Sequence, residues 1–364
     1  MNKQHLIAVA VAAAVAAPAV MADTTLYGRA HVSIDALNSD QNPGVDESNV
    51  SVSSNSSFLG VKGTEKISSN LSAIYQFETT INVSSNDGST NSLFGEGRNT
   101  FVGLTGGWGT ALVGKHDTPM KLIGRKYDLF GDRVGDSRNI IGVGDPKVGW
   151  DLRPNNVVAY VTPDLSGFQA VLAYVTDHDI VSGGSGCDRN GSSCDNNKFD
   201  AYSLNATYTH KMFDIGAAYE RHNIDNPGGQ DNESAYRLGA GVNFAGVRVN
   251  ALYQKAMDVG FTSGADQSVW GAGASYTFGN NVVKAQYYKA NDISGTVDTG
   301  ADMWAVGYDY KLSKQTTLYA AYAATDNESN TARYQVSRFG HGDSMAPIAG
   351  GKASAFSVGV IHNF

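Results

Sequence analysis

Along most of this chain, apolar side chains recur at every second position. In 199–209, Tyr202, Leu204, Ala206 and Tyr208 alternate with Ala201, Ser203, Asn205 and Thr207. In 234–244, Tyr236, Leu238, Ala240, Val242 and Phe244 oppose Arg237, Gly239, Gly241 and Asn243. The segments 267–278 and 301–310 repeat the arrangement, with Trp270 and Trp304 on their apolar faces. Side chains in a strand point to opposite faces with period two, so each segment predicts a β-strand with one greasy face and one small, polar face. Followed along the chain, the pattern predicts strands at 24–35, 55–64, 70–79, 97–105, 109–115, 153–162, 167–176 and 199–209. It continues at 212–221, 234–244, 246–257, 267–278, 281–290, 301–310, 316–325 and 353–364, sixteen in all.

The spacers alternate as strictly as the faces. Short turns such as "GGW", "KM", "AG" and "GN" take turns with long polar segments at 36–54, 80–96, 116–152, 177–198, 223–233, 258–266, 291–300 and 326–352. Short turns at one rim and long loops at the other, with an even strand number, is the layout of an outer-membrane barrel. The four apolar faces named above carry no charge. That suits lipid, where Arg or Lys at mid-depth costs roughly 2–4 kcal/mol. Aromatics near strand ends, at Tyr27, Phe244, Phe278, Tyr310 and Phe364, are expected to form interfacial girdles. The predicted fold class is therefore all-β, a transmembrane 16-stranded antiparallel β-barrel with short periplasmic turns and long extracellular loops. Side chains cannot fill a barrel of that width, so a water-filled channel is expected inside.

The last strand, "AFSVGVIHNF", puts Phe356, Val358, Val360, His362 and Phe364 on one face. Chain ends are usually frayed and polar. An aromatic terminus predicts that this strand pairs with the first and closes the barrel.

Composition adds boundaries. Lys3 followed by "LIAVAVAAAVAAPAV" and a small-residue stretch reads as a signal peptide over residues 1–22, cleaved to leave one barrel domain at 23–364. The 42 Gly and 18 Tyr favour strands over helices. A net charge of −8 argues against a nucleic-acid partner. Cys187 and Cys194 bracket a short loop and are a candidate disulfide in an exported chain. Asp188, Asn190 and Ser192 echo a calcium loop, but Gly191 is misplaced and no bidentate Glu follows, so no metal is expected there. The eight His are scattered and none lies in a nucleophile motif, so neither an enzyme nor a cofactor is expected.

Six stretches in order carry a resemblance: "TLYGRAHVSID", "FLGVKGTE", "GRNTFVGLTGGWGTALVGK", "RPNNVVAYVTPDLSGF", "YKLSKQTTLYAAYA" and "VGVIHNF". Together they resemble the Gram-negative general porin family. The resemblance implies an outer-membrane homotrimer through which ions and small hydrophilic solutes diffuse passively. It also implies a third loop folded into the lumen, and contact with lipopolysaccharide, outer-membrane lipids and the barrel assembly machinery, the last through Phe364. A basic wall facing an acidic third loop is implied as well. Arg98 and Arg153 match wall positions, while Lys62 and Arg29 lie on inward faces; Asp117, Asp128, Asp132 and Asp136 are the loop candidates. The family's usual wall Arg is replaced here by Phe58. Segment 116–152 holds six acids and six bases, which leaves the loop's net field near neutral. A surface adhesin or receptor acting through the long loops is the alternative reading.

Overall fold

The computed structural model describes residues 23–42, 45–84, 93–143, 149–176, 199–224 and 232–364. The expected signal segment and the pair Cys187 and Cys194 lie outside the described residues.

Strands run antiparallel from β1 (Asp23–Asn42) through β2 (Val45–Ser54), β3 (Phe58–Ser68), β4 (Leu71–Ile81), β5 (Phe94–Gly97), β6 (Thr100–Gly106) and β7 (Gly109–Lys115). Two short helices follow, α1 (Pro119–Lys126) and α2 (Arg138–Ile141). The sheet resumes with β8 (Val157–Val161), β9 (Phe168–Val175), β10 (Phe199–Thr209), β11 (Phe213–Ile224), β12 (Asn232–Phe244) and β13 (Val247–Met257). It finishes with β14 (Gln267–Phe278), β15 (Asn281–Ala290), β16 (Ala301–Lys311), β17 (Thr316–Asn327) and β18 (Lys352–Asn363). β2 and β3 both pair with β1, and β5 and β6 both pair with β4, so each couple is one interrupted barrel strand. Eighteen segments thus make sixteen barrel strands.

The ring closes between β1 and β18, from Arg29 opposite Asn363 to Ser39 opposite Ala353. Phe364 extends the seam: Gly28 N–H donates to its carbonyl at 2.9 Å, and its own N–H donates to Gly28 at 3.1 Å. Short turns have the geometry that hairpins demand. Between β12 and β13, Ala245 and Gly246 both have positive φ, at 48° and 82°. Such a turn matches the right-handed twist of the flanking strands.

The alternation of faces holds. Leu204, Leu238, Val242, Phe244, Trp270 and Trp304 project outward, exposed, while Ser203, Asn205, Arg237 and Ala305 on the same strands are buried inside. On β18, Phe356, Val358 and Val360 face out, as does Phe364 just beyond it, and Ala355, Ser357 and Ile361 face in. An exposed apolar belt of this extent is stable only where lipid replaces water.

Three expectations are corrected. The spacer expected at 36–54 is strand over 36–42 and 45–54, because β1 and β2 continue the ladder to Asn42 and Val45. Tyr27 is not a girdle residue. It lies opposite Gly60, two positions from Arg29, and its hydroxyl donates to Glu78 at 2.7 Å inside the barrel. Side-chain parity decides this: Arg29 faces the lumen, so Tyr27 must. Finally, segment 326–352 does not simply project outward; Tyr334 and Val336 are buried within the molecule.

The third long loop also turns inward, and small wall residues make room for it. A Cβ on Gly239 of β12 would collide with the Tyr127 ring. Replacing Gly239 by Val is therefore expected to cost about 1–3 kcal/mol through overpacking. The thermal unfolding temperature followed by circular dichroism should fall. The neighbouring Ala240→Val, on the outward face, should leave it nearly unchanged.

Candidate functional site

Residues 116–143 and 149–152 lie within the barrel, and their path begins with a capped helix. The Thr118 hydroxyl accepts from the Lys121 N–H, and Pro119 occupies the first turn, where its missing N–H costs nothing. Arg125 and Lys126 sit in the last turn, favourable against the helix dipole. Met120, Ile123 and Tyr127 share one buried face of α1, which packs on the inner wall at β10, β11 and β12.

Polar wall residues pin the loop's backbone. Arg237, fully buried, donates to the carbonyls of Met120 at 2.9 Å and Ile141 at 3.3 Å and pairs with Asp151 at 3.2 Å. Asn205 donates to the Pro119 carbonyl, Asn250 to that of Tyr127, and Gln286 to that of Gly135. Segment 326–352 braces the far side, where the Gly135 N–H donates to the Val336 carbonyl at 2.7 Å. Sequence reading passed over Arg237. The signal was there, one charged position on the small-residue face of 234–244.

Inside the barrel, Asp132 collects three arginines. Arg125 grips it with two hydrogen bonds of 2.9 and 2.8 Å, Arg138 reaches it at 2.8 Å and Arg29 of β1 at 3.1 Å. Asp136 accepts from Arg138 at 2.6 Å and from the Asp132 N–H at 2.7 Å. Asp132 holds a left-handed backbone, with φ at 60°. The surrounding bonds impose that conformation. Burial alone would raise its pKa, but the charges of Arg125 and Arg138 and their hydrogen bonds hold it well below the usual carboxylate range. Asp136 is lowered in the same way, chiefly by Arg138 against its burial.

A second knot joins Asp117 to Lys121 at 2.9 Å and to Arg153 at 2.8 Å. Burial works to raise Asp117, but these two cations keep it below its ordinary value. Lys121 is pushed down to about 8 by burial, which Asp117 only partly offsets. Arg98 lies 3.7 Å from Glu78 and stacks over Phe58, 4.9 Å from its centroid.

The predicted residues thus divide. Arg29 on β1, Arg98 between β5 and β6, and Arg153 ahead of β8 each contact a carboxylate, and Asp117, Asp132 and Asp136 are their partners or neighbours. Lys62 also faces inward, but it lies over the Tyr27 ring at 4.6 Å rather than against the loop. Asp128 has no basic partner among its hydrogen bonds. It accepts from Gln286 at 3.0 Å and the Phe130 N–H at 3.0 Å, and its Oδ2 is sealed from solvent without a partner. Burial, reinforced by Asp136, pushes its pKa up to about 7.

The neutral count over 116–152 hides an asymmetry. The Asp132 side chain is 3 % exposed, whereas Arg125 and Arg29, its partners, are 31 % and 21 % exposed. Arg98, Lys126, Arg153 and Arg248 are likewise more exposed than the acids they contact. At these contacts the cation is the partner nearer water, whereas Asp117 beside Lys121, and Asp309 beside Arg133 and Lys284, are more exposed than their cations. Among the described residues, no group of three or more His, Cys, Asp or Glu is placed to hold a metal ion.

A profile of the Gram-negative porin family matches residues 8–330. The chain belongs to the Gram-negative porins. It is accordingly an outer-membrane, multi-pass barrel, and the family is one of channels rather than enzymes. The chain is 30 % identical over 190 residues to outer membrane porin protein 32 of Delftia acidovorans, covering 50 % of this chain and 52 % of that one. It is 29 % identical over 188 residues to the major outer membrane protein P.IB of Neisseria gonorrhoeae, covering 50 % and 51 %. The matches span about half the length of these curated relatives. Its fold resembles that of an anion-selective porin from Comamonas acidovorans, with a TM-score of 0.76 and 22 % identity over 94 % of this chain and all of that one. It also resembles the trimer form of OmpT, an outer-membrane protein of Vibrio cholerae, with a TM-score of 0.66 and 16 % identity over 94 % and 99 %.

Two titrations in this porin act in the same direction. As pH rises through about 7, Asp128 gains a negative charge; through about 8, Lys121 loses a positive one. Both changes make the lumen less positive. Any anion preference, read as a reversal potential under a salt gradient, should decline between pH 6 and pH 9. Asp128→Asn should remove the lower limb of that decline and leave the upper one.

Proposed function

We propose that this chain forms a water-filled channel for passive diffusion of ions and small hydrophilic solutes, with a preference for small anions. The observation that carries the reading is the burial of Asp132 and Asp136 behind Arg29 and Arg125, which stay partly exposed while Arg138 is buried with the acids, so that this knot turns basic side chains toward water. Charge of one sign on low-dielectric walls raises the local concentration of the opposite ion. The loop narrows the lumen and is held from both sides, so size sets the first limit and charge the second. The reading requires no reaction and no cofactor.

The assembly is a homotrimer in outer-membrane lipid and lipopolysaccharide, inserted by the barrel assembly machinery after removal of residues 1–22. The existence of a trimer form of a structural neighbour supports that state. The paired Phe364 supports a role for the terminal strand in assembly. The inward course of segment 326–352 favours a channel over an adhesin, because it leaves less chain to project outward.

Single-channel recording in a planar bilayer under a salt gradient tests the reading. Conductance steps closing in threes, with a reversal potential of the anion-selective sign, are expected; silence over many insertions would overturn it. Phe58 faces the lumen opposite Arg29, so Phe58→Arg adds a positive charge to the wall. It should move the reversal potential further toward anions, and an unmoved potential would take position 58 out of the selecting field.

A further inference from the structure

We propose that the wall beside the constriction is a binding track for arenecarboxylates, small aromatic rings bearing a carboxylate group. The proposal rests on the channel reading above and names the solute class that the wall selects.

Four side chains follow one another along the lumen face. The Arg98 guanidinium lies 4.9 Å over the Phe58 ring, and Phe58 meets Tyr27 edge-on at 5.9 Å and 72°. The Lys62 ammonium then lies 4.6 Å over Tyr27. The order is cation, ring, ring, cation. Register explains it, because Phe58 lies opposite Arg29 and Gly60 opposite Tyr27, all on the inward face. Gly60 is what lets the Tyr27 ring lie flat on the wall; a Cβ there would stand 2.7 Å from it. Both rings are half-buried, so each keeps surface toward the lumen.

The donors of this track are under-used. No side-chain hydrogen bond of Arg98 is formed among the described residues. Its Nε lies 3.7 Å from Glu78 and is sealed from solvent, so the donors it can offer a solute are its terminal nitrogens. A separation of that size is too long for a hydrogen bond. Arg29 gives one bond to Asp132 through a terminal nitrogen, and its Nε is likewise sealed from solvent. Arg153 is close enough to Arg98 for the two charges to interact unfavourably. The nearby acids, by contrast, are engaged. Glu78 accepts from Tyr27 and Gln76, Asp117 from Arg153 and Asn99, and Asp132 from three arginines. A solute carboxylate would give the Arg98 terminal nitrogens the close acceptor they do not have in the protein, and its geometry suits them.

A simple anion would answer the arginines and leave the rings with only the contacts they already make. An arene with a carboxylate answers both, since ring pairs and ring–guanidinium contacts are favourable beyond area burial. An aliphatic acid of the same charge and similar size gains only the first.

The test is block of the chloride current through single channels of the purified full-length protein, with benzoate or cyclohexanecarboxylate added. Benzoate should half-block at a concentration at least about threefold lower, the scale of one aromatic pair. Phe58→Leu should bring the two half-blocking concentrations together, and Phe58→Tyr should keep them apart. Arg98→Gln should weaken block by both acids. Equal block in the unmodified channel, or an unchanged ratio in Phe58→Leu, overturns the arene track while leaving an anion-preferring channel in place. A protein that does not conduct, or that prefers cations, overturns both. The comparison of two acids on the unmodified protein decides the matter even if Phe58→Leu does not assemble.

Discussion

Inside hydrocarbon, a backbone N–H or C=O without a partner costs several kcal/mol, so a sheet that crosses a membrane cannot have an edge. That constraint organises this molecule. The seam from Arg29 opposite Asn363 to Ser39 opposite Ala353 removes the last free edge, and the two bonds between Gly28 and Phe364 carry it to the rim. Once the ring is closed, every strand has an outside and an inside. The period of two then sorts the chain, with Leu204, Leu238, Trp270 and Trp304 outward and Ser203, Asn205, Arg237 and Ala305 inward.

Closure also creates the space that the third loop occupies. A loop inside a barrel would carry unpaired backbone groups unless the wall supplied partners. Here Arg237, Asn205, Asn250 and Gln286 supply them from β12, β10, β13 and β15. Small residues on the same faces leave room for rings, as Gly239 does for Tyr127. The inward face is therefore polar and small for two reasons at once. It borders water, and it holds a second layer of chain.

Charge in that layer is arranged by burial rather than by number. Buried carboxylates are retained only when paired, and Asp132 and Asp136 satisfy this by gathering guanidinium groups from the loop itself and from β1. Arginine suits the task because its planar fork can serve a carboxylate and still present N–H groups elsewhere. The outcome is a rigid, buried anionic centre with a cationic exterior. Asp128, left without a basic partner, departs from this pattern, and burial raises its pKa in consequence.

Much of this was legible before any coordinates. Alternation along 199–209, 234–244, 267–278 and 301–310 reports directly which residues meet lipid, because one face is solvated by hydrocarbon and a one-residue slip would invert it. Strand number, loop asymmetry and the closing terminal strand follow from local pattern and from motifs in order. What the sequence could not decide lies where contacts join distant segments. Continuation of the ladder through 36–42 and 45–54, the inward turn of Tyr27 and the return of segment 326–352 into the lumen each depend on a partner far along the chain. The sign of the lumen does so most of all. Six acids and six bases cancel on paper, and only the packed loop determines which of them water can reach.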